Sequence, residues 1–308
     1  MKVLLLAVLL DLAFGDPPNR WHPVAWIGRL VTAGRRAAKR RSPTDLALYG
    51  TFLLLVVVSA ATVGALVLQH LFAALPASLA LVLEAWLLKC AFSLRGLVRA
   101  VELVRGHLVI GDLDGARRQL ESHLVSRPTG GLEAGGVGSA AVESLAENLT
   151  DSWVAPLCFF LVAGLPGAWA YRAVNTADAI IGYREGELEH LGRATAQVDD
   201  ALNFVPARLA AWALVAGAWL GRQSAAGARR VLARDARLTA SPNAGQTMAA
   251  MAGALGVTLE KPGHYRLGDG PPPDLEAMDR ALRVNGWASG LSLGVALLLL
   301  ALYPVLRL

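Results

Sequence analysis

From Ala47 to Leu68 the chain runs without one charged side chain. As a helix rising about 1.5 Å per residue, such a stretch reaches across the ~30 Å hydrocarbon core of a bilayer. In lipid, backbone N–H and C=O groups must be satisfied within a helix or a closed barrel, so this segment commits the chain to membrane-spanning structure. Gly286–Leu306 is a second clear span. Trp153–Tyr171 and Phe204–Leu220 are weaker, because Pro156, Pro166 and Arg208 interrupt or flank them. Pro76–Leu94 is apolar but holds Glu84 and Lys89. Val3–Phe14 is short, contains Asp11 and lacks a small-x-small cleavage site. It reads as an uncleaved, shallow or re-entrant helix rather than a signal peptide.

Composition agrees. Hydrophobic residues make up 55% and charged residues 17%, against roughly a quarter charged in soluble domains. Arg29, Arg35, Arg36, Lys39, Arg40 and Arg41 crowd one loop ahead of the first clear span. Beside a membrane helix this is a topology signal that places the loop in the cytoplasm, and it outweighs a nucleic-acid patch. The expectation is a multi-pass protein of the cytoplasmic (inner) membrane with no nucleic-acid partner. Cys90 and Cys158 lie in apolar runs without metal-ligand neighbours, and the six histidines show no zinc spacing.

Strand patterns are nearly absent. Arg95–Leu124 reads as amphipathic helix broken at Gly111-Asp112, and a glycine-rich loop extends from Pro128 to Gly138. The expected fold is all-α: a polytopic helical membrane bundle with amphipathic helical cytoplasmic loops and re-entrant or broken helices, forming a single integral membrane domain over residues 1–308. If Ala47–Leu68, Pro76–Leu94 and Trp153–Tyr171 all crossed, Arg172–Asn203 would lie outside. One resolution is a hairpin of Trp153–Leu165 and Ala168–Ile181 turned by Pro166-Gly167, each arm too short to cross.

Polar clusters stand out against this background. Glu143, Glu147 and Asp151 fall at i, i+4 and i+8, so three carboxylates share one helix face although like charges there repel. Oxygen ligands without His or Cys suit Mg²⁺, and Mg²⁺ suggests a phosphorylated substrate. A second cluster holds Tyr171, Arg172, Asn175, Asp178, Tyr183 and Arg184; taken alone, it is as consistent with a helix-end cap. A third is Arg193 with Asp199, Asp200 and Asn203, where adjacent acids at a helix start are commonly dipole partners. In the fourth, Ser241 as N-cap and Pro242 at the first helical position open a helix that Gly256 ends, and such N-termini bind phosphate. The fifth is Asp16, Arg20, Trp21 and His22 in a proline-rigid loop, an interfacial anchor on its plainest reading. No P-loop, dinucleotide fingerprint or nucleophile elbow is present.

In order, Gly15-Asp16-Pro17-Pro18, Trp21-His22-Pro23, Ile27-Gly28, Glu143-Ser144-Leu145-Ala146-Glu147-Asn148 with Asp151, and Ala155-Pro156-Leu157 resemble the adenosylcobinamide-phosphate synthase family of cobalamin biosynthesis. Tyr171–Thr176 with Asp178, Gly182-Tyr183, Gly192-Arg193-Ala194, Asp199-Asp200, Pro206-Ala207-Arg208 and Ser241–Gly245 continue the resemblance over nearly the whole chain. The chain departs from that pattern at Arg127-Pro128-Thr129, where the family usually has Arg-Asp-Thr, and at Met248, where it tends to have Glu.

The resemblance implies a membrane enzyme that joins adenosylcobyric acid to (R)-1-amino-2-propanol, or its O-phosphate, through an amide bond, with ATP as co-substrate and Mg²⁺ as cofactor. Under it, Glu143, Glu147 and Asp151 bind Mg²⁺. Glu147, Asp178, Asp199, Asp200 and Arg193 are catalytic, the aspartates as further ligands or as a base for the amine. Asp16, Arg20, His22, Asn148, Asn175, Tyr183, Arg184, Ser241 and Asn243 bind substrate or phosphate. Glu147, Asp178 and Asp199 or Asp200 are expected to converge on one cytoplasmic-edge cavity. Partners would be the corrinoid and the aminopropanol, the lipid bilayer, and other corrinoid-pathway membrane enzymes or a second copy of the chain. The alternatives are a Mg²⁺-dependent intramembrane phosphotransferase or prenyltransferase, though neither's acid motif is found, and an ion-coupled transporter or membrane scaffold.

Overall fold

A computed structural model describes residues 1–38, 42–183 and 186–302. In chain order its helices are α1 (Lys2–Phe14), α2 (Pro23–Ala37), α3 (Pro43–Ala73), α4 (Ala77–Lys89), α5 (Leu94–Val109), α6 (Leu113–His123) and α7 (Ala134–Leu149). A π-turn (Thr150–Val154) leads into α8 (Ala155–Ile181), then α9 (Glu187–Leu191), α10 (Arg193–Leu220), α11 (Ala225–Asp235) and α12 (Ala244–Leu255). An antiparallel hairpin of β1 (Leu259–Lys261) and β2 (Tyr265–Leu267) precedes α13 (Leu275–Leu302). The all-α expectation holds, with this short hairpin as the strand content among the described residues.

Local chemistry sets many of the ends. Ser42 is the N-cap of α3: the Asp45 N–H donates to Ser42 Oγ at 3.2 Å, and the Ser42 hydroxyl donates to the Asp45 carboxylate at 2.7 Å. Pro43 sits where its missing N–H is harmless. Asp112 caps α6 through the Gly115 N–H, which restarts the helix after the break at Gly111.

Among the described residues, four helical runs are long and apolar enough to cross a membrane: Pro43–Ala73, Ala134–Ile181, Arg193–Leu220 and Leu275–Leu302. The expected Pro76–Leu94 span is shorter, since α4 ends at Lys89. The acids Asp199 and Asp200 do not open a helix; α10 begins at Arg193 and runs through Pro206. The last span begins earlier than expected, at Leu275, and residues 303–306 of the expected stretch lie outside the described residues.

The chain divides into two compact units. The first comprises Met1–Ser93, Ala155–Asn203 and the chain from Ala296. Its core brings Val31 of α2 and Leu46, Leu53, Leu54 and Val57 of α3 together with Ala173, Val174, Ala177 and Ile181 of α8. Within it α8 is not one rod. Ala163 and Gly164 leave helical geometry, Gly164 with φ 64°. The rings of Phe159 and Tyr171 stack with centroids 5.0 Å apart, whereas twelve residues of straight helix would separate them by about 18 Å. The arms therefore fold back on each other, as the hairpin expectation requires. The turn lies at Ala163-Gly164 rather than at Pro166-Gly167. Pro166 sits in the first turn of the returning arm, where it breaks no helix hydrogen bond. Gly167 permits the close approach: a Cβ there would lie 2.5 Å from the Phe159 carbonyl oxygen.

The second unit comprises Leu94–Val154 and Phe204–Val295. Here α7 packs against α5, α6, α12 and β1, and α11 lies along α12. The Trp153 indole, on the π-turn, donates to the Ser289 carbonyl of α13 at 3.1 Å.

Candidate functional site

In the first unit, the loop after α1 folds around Asp16. Its carboxylate accepts hydrogen bonds from Lys89 and Ser93, and His22 Nε2 lies 3.5 Å away. His22 Nδ1 caps α2 by accepting from the Val24 N–H at 3.2 Å, which leaves Nε2 as the protonated nitrogen facing Asp16. Burial alone would raise the Asp16 carboxyl. The donors His22, Lys89 and Ser93, with the Lys89 charge, outweigh it and hold the group well below the usual carboxylate range. Arg20 stands over the exposed Trp21 ring at 5.7 Å, and its carbonyl accepts from the Trp26 indole. Asp16 and His22 are thus brought together as a structural clamp, in which Lys89 is the partner missed from sequence.

Further along this unit, Tyr171 donates to Asn203 Oδ1 at 2.9 Å, and the Asn203 amide donates to Asp199 at 3.0 Å. Asp199 therefore anchors α10 to α8. Asn175 accepts from Arg172 at 3.0 Å, and the half-buried Asp178 carboxylate lies against Gly182. Asp200 faces elsewhere, into a cleft of about 470 Å³ lined by Tyr183, Glu189, His190, Arg193, Gln197 and Asp200. Three residues expected from the sequence, Tyr183, Arg193 and Asp200, share this cleft. His190 and Gln197 join them without having been foreseen, since neither stood in a motif. Arg184 lies outside the described residues.

In the second unit, the acidic stripe differs in burial along its length. Glu143 is buried. Its Oε1 accepts from Ser139 and its Oε2 from the Tyr265 hydroxyl, each at 2.7 Å, and Arg127 Nη2 stands 3.9 Å off. Ser139 in turn accepts from the Glu260 N–H at 2.9 Å, so Glu143 pins α7 to the hairpin. Burial, then the neighbouring Glu143 charge, push the Tyr265 phenol well above its ordinary range, keeping it a hydrogen-bond donor. Arg127, which precedes the departing Pro128, faces Glu143, and Met248, the other departure, has its Sδ 3.7 Å from the Tyr265 hydroxyl.

Glu147 and Asp151 are half-buried. Asp151 lies on the π-turn, whose i→i+5 winding differs from the α-helical register of the stripe. Among the described residues no group of three or more His, Cys, Asp or Glu side chains is arranged to hold a metal ion. Both Glu143 oxygens are engaged by Ser139 and Tyr265. Asn148 turns back onto its own helix, donating to the Ser144 carbonyl at 3.0 Å.

The Ser241 segment differs from expectation. Asn243, not Ser241, is the N-cap, and α12 begins at Ala244. Ser241 Oγ accepts from the Asn243 N–H, while Thr239 Oγ1 accepts the Gly245 N–H at 3.1 Å and donates to the Ser241 carbonyl. Thr239 therefore does the capping that the Ser-Pro pair was expected to do. Gly256 ends the helix in the left-handed conformation, as anticipated.

The family profile described as "CobD/Cbib protein" matches residues 4–288. The cobalamin biosynthesis protein CobD of Dehalococcoides mccartyi (strain CBDB1) is 42% identical, with 87% of each chain covered. That of Geobacter metallireducens is 44% identical over 83% of this chain and 80% of its own. That of Klebsiella pneumoniae is 38% identical over 84% of this chain and 82% of its own. No solved structure matches. The ordered motifs, the helical membrane fold and the match over nearly the full chain lead to one conclusion: this chain belongs to the CobD/Cbib family.

Proposed function

We propose that the protein is an ATP- and Mg²⁺-dependent ligase of the cytoplasmic membrane that joins adenosylcobyric acid to (R)-1-amino-2-propanol or its O-phosphate. The observation that carries this reading is membership in a family whose relatives are named for cobalamin biosynthesis. A carboxylate is a poor acyl donor. ATP would transfer its terminal phosphoryl group to the substrate carboxylate, giving an acyl phosphate and ADP. The amine then attacks the acyl carbon, the amide forms, phosphate leaves, and the amine's extra proton passes to a base.

Bound Mg²⁺ would supply charge neutralisation to the phosphates. Glu147 and Asp151 would hold it. Asp200, which shares a cleft with Arg193, would take the amine's proton, and Arg193 would hold an anionic group. Asp178 serves as a second acceptor for that proton. The test is a purified, detergent-solubilised preparation supplied with adenosylcobyric acid, ATP, Mg²⁺ and each amine. Formation of adenosylcobinamide or its phosphate with stoichiometric ADP is expected. No amide with either amine would overturn the assignment.

A further inference from the structure

The second unit contains a cleft of about 720 Å³ whose walls include Arg208, Trp212, Arg229, Arg230, Arg237 and Gln246. Among the described residues no carboxylate lines it. Its basic wall is built by helical spacing. Ala226, Arg229, Arg230, Ala233 and Arg237 recur at i, i+3, i+4, i+7 and i+11, so α11 and the turn after it turn one face to the cleft. The opposite face, Gly227, Ala228, Val231 and Asp235, is buried. There a Cβ on Gly227 would lie 2.3 Å from the Gly253 carbonyl oxygen, so α11 sits tightly on α12. The arginine face is mounted on a rigid base.

Arg234 is an internal contrast. It donates to Asp235 at 2.6 Å and to Asp269 at 2.8 Å, and Asp235 also accepts the Gly268 N–H. By contrast, none of Arg208, Arg229, Arg230 and Arg237 has an Asp or Glu oxygen within 4 Å among the described residues. Two further features favour an anion. Arg208 reaches over to Asn243, the N-cap of α12, at 3.4 Å, and Gln246 in the first turn of α12 borders the cleft. The positive end of a helix dipole thus adds to the guanidinium charge. Crowding like charges without counter-charge destabilises a fold unless a ligand supplies it, and guanidinium forks match phosphate oxygens.

We propose that this cleft binds a phosphate-bearing polyanion through Arg229, Arg230 and Arg237, with Arg208 behind them. The same chemistry could arrive as a polyphosphate chain or as an anionic lipid headgroup, because exposed Trp212 and Leu209 put α10 against lipid. That the polyphosphate is the ATP of the amide ligation rests on the function proposed above.

The test measures tripolyphosphate binding to full-length protein in phosphatidylcholine nanodiscs, and phosphatidylglycerol retention when both lipids are offered. Arg229→Gln/Arg230→Gln and Arg237→Gln are compared with wild type, and exposed Arg36→Gln serves as control. Gln is a good helix former, so the exposed positions should fold. Saturable, salt-sensitive tripolyphosphate binding, weakened about tenfold or more in the double variant, is expected and identifies a polyphosphate source. Arginine-dependent enrichment of phosphatidylglycerol without tripolyphosphate binding identifies the lipid source. Equal binding by wild type and variants, or neither ligand binding, overturns the site. Tripolyphosphate binding without amide formation would keep the site and remove the ligase. Amide formation by Arg229→Gln/Arg230→Gln at wild-type KM for ATP would keep the ligase and show that the cleft is not its ATP site.

Discussion

Lys89 donates a hydrogen bond to Asp16 and also stands 3.5 Å from Asp11 Oδ1, although the lysine is only 2% exposed. One ammonium at the end of α4 thus ties down both α1 and the loop behind it. A charge this deep is tolerable only with its partners in place. Asp11 and Lys89, which look like blemishes in two apolar runs, are two halves of one contact.

Removing the lysine alone should therefore be severe. Lys89→Ala takes one buried ammonium away from two carboxylates, Asp11 and Asp16, and a loss of about 3–5 kcal/mol is expected. Asp16→Asn, at a more exposed position, should cost less. Thermal unfolding in detergent checks the order; a Lys89→Ala protein that melts with wild type would contradict it.

The same clamp has a pH signature. The folded Asp16 carboxyl titrates well below its unfolded value of about 3.9. Its contribution is fully present above about pH 4 and is lost as the pH falls further, because the unfolded chain takes up the proton first. Melting temperature should fall on that acid limb, and Asp16→Asn should flatten the slope. Parallel acid limbs in the two proteins would assign the transition to other groups.

The hairpin in α8 depends on Gly164 and Gly167. At Gly167 any side chain meets the Phe159 carbonyl, a backbone atom that cannot step aside. Gly167→Leu should cost at least the roughly 1–3 kcal/mol typical of overpacking. Gly164→Ala, at φ 64°, should cost about 1 kcal/mol. Gly290→Ala, with open space around it, is the control. Equal stability of all three variants would mean that the arms do not touch.

Glu143 and Glu147 should separate cleanly. Glu143→Gln and Tyr265→Phe each disturb a buried charge-assisted hydrogen bond worth about 1–3 kcal/mol, and their effects should be non-additive. Glu147→Ala should stay folded in detergent yet lose amide-forming activity. Near-normal turnover of Glu147→Ala at limiting Mg²⁺ would take this residue out of the site.

Orientation is testable without any activity. Thr44, exposed in the first turn of α3 beside the basic loop, leaves the Ser42–Asp45 cap intact when replaced. A Thr44→Cys protein in intact cells should resist an impermeant thiol reagent until the membrane is opened. Labelling from outside would reverse the topology.

Much of the fold was legible from residues alone. The uncharged run after Ala47 requires a spanning helix because lipid offers no hydrogen-bond partners. The break at Gly111-Asp112 and the stop at Gly256 arise from backbone conformations those residues favour. The ordered motifs were also enough to point to the family. Spacing placed Tyr183, Arg193 and Asp200 in clusters, and folding put them in one cleft.

What spacing could not reveal was which polar group meets which. Glu143 and Glu147 are alike in sequence, yet one is buried under Tyr265, 122 residues away, and the other is half-buried. The start of α12 moved because Thr239 captured the Gly245 N–H. The turn in α8 lies where Gly164 takes φ 64°, a conformation open to glycine, rather than at Pro166-Gly167. Helix period and hydropathy are local properties, so the chain determined its helices and its solvent by itself. Hydrogen-bond partners across long sequence separations depend on packing, and only the tertiary structure decided them.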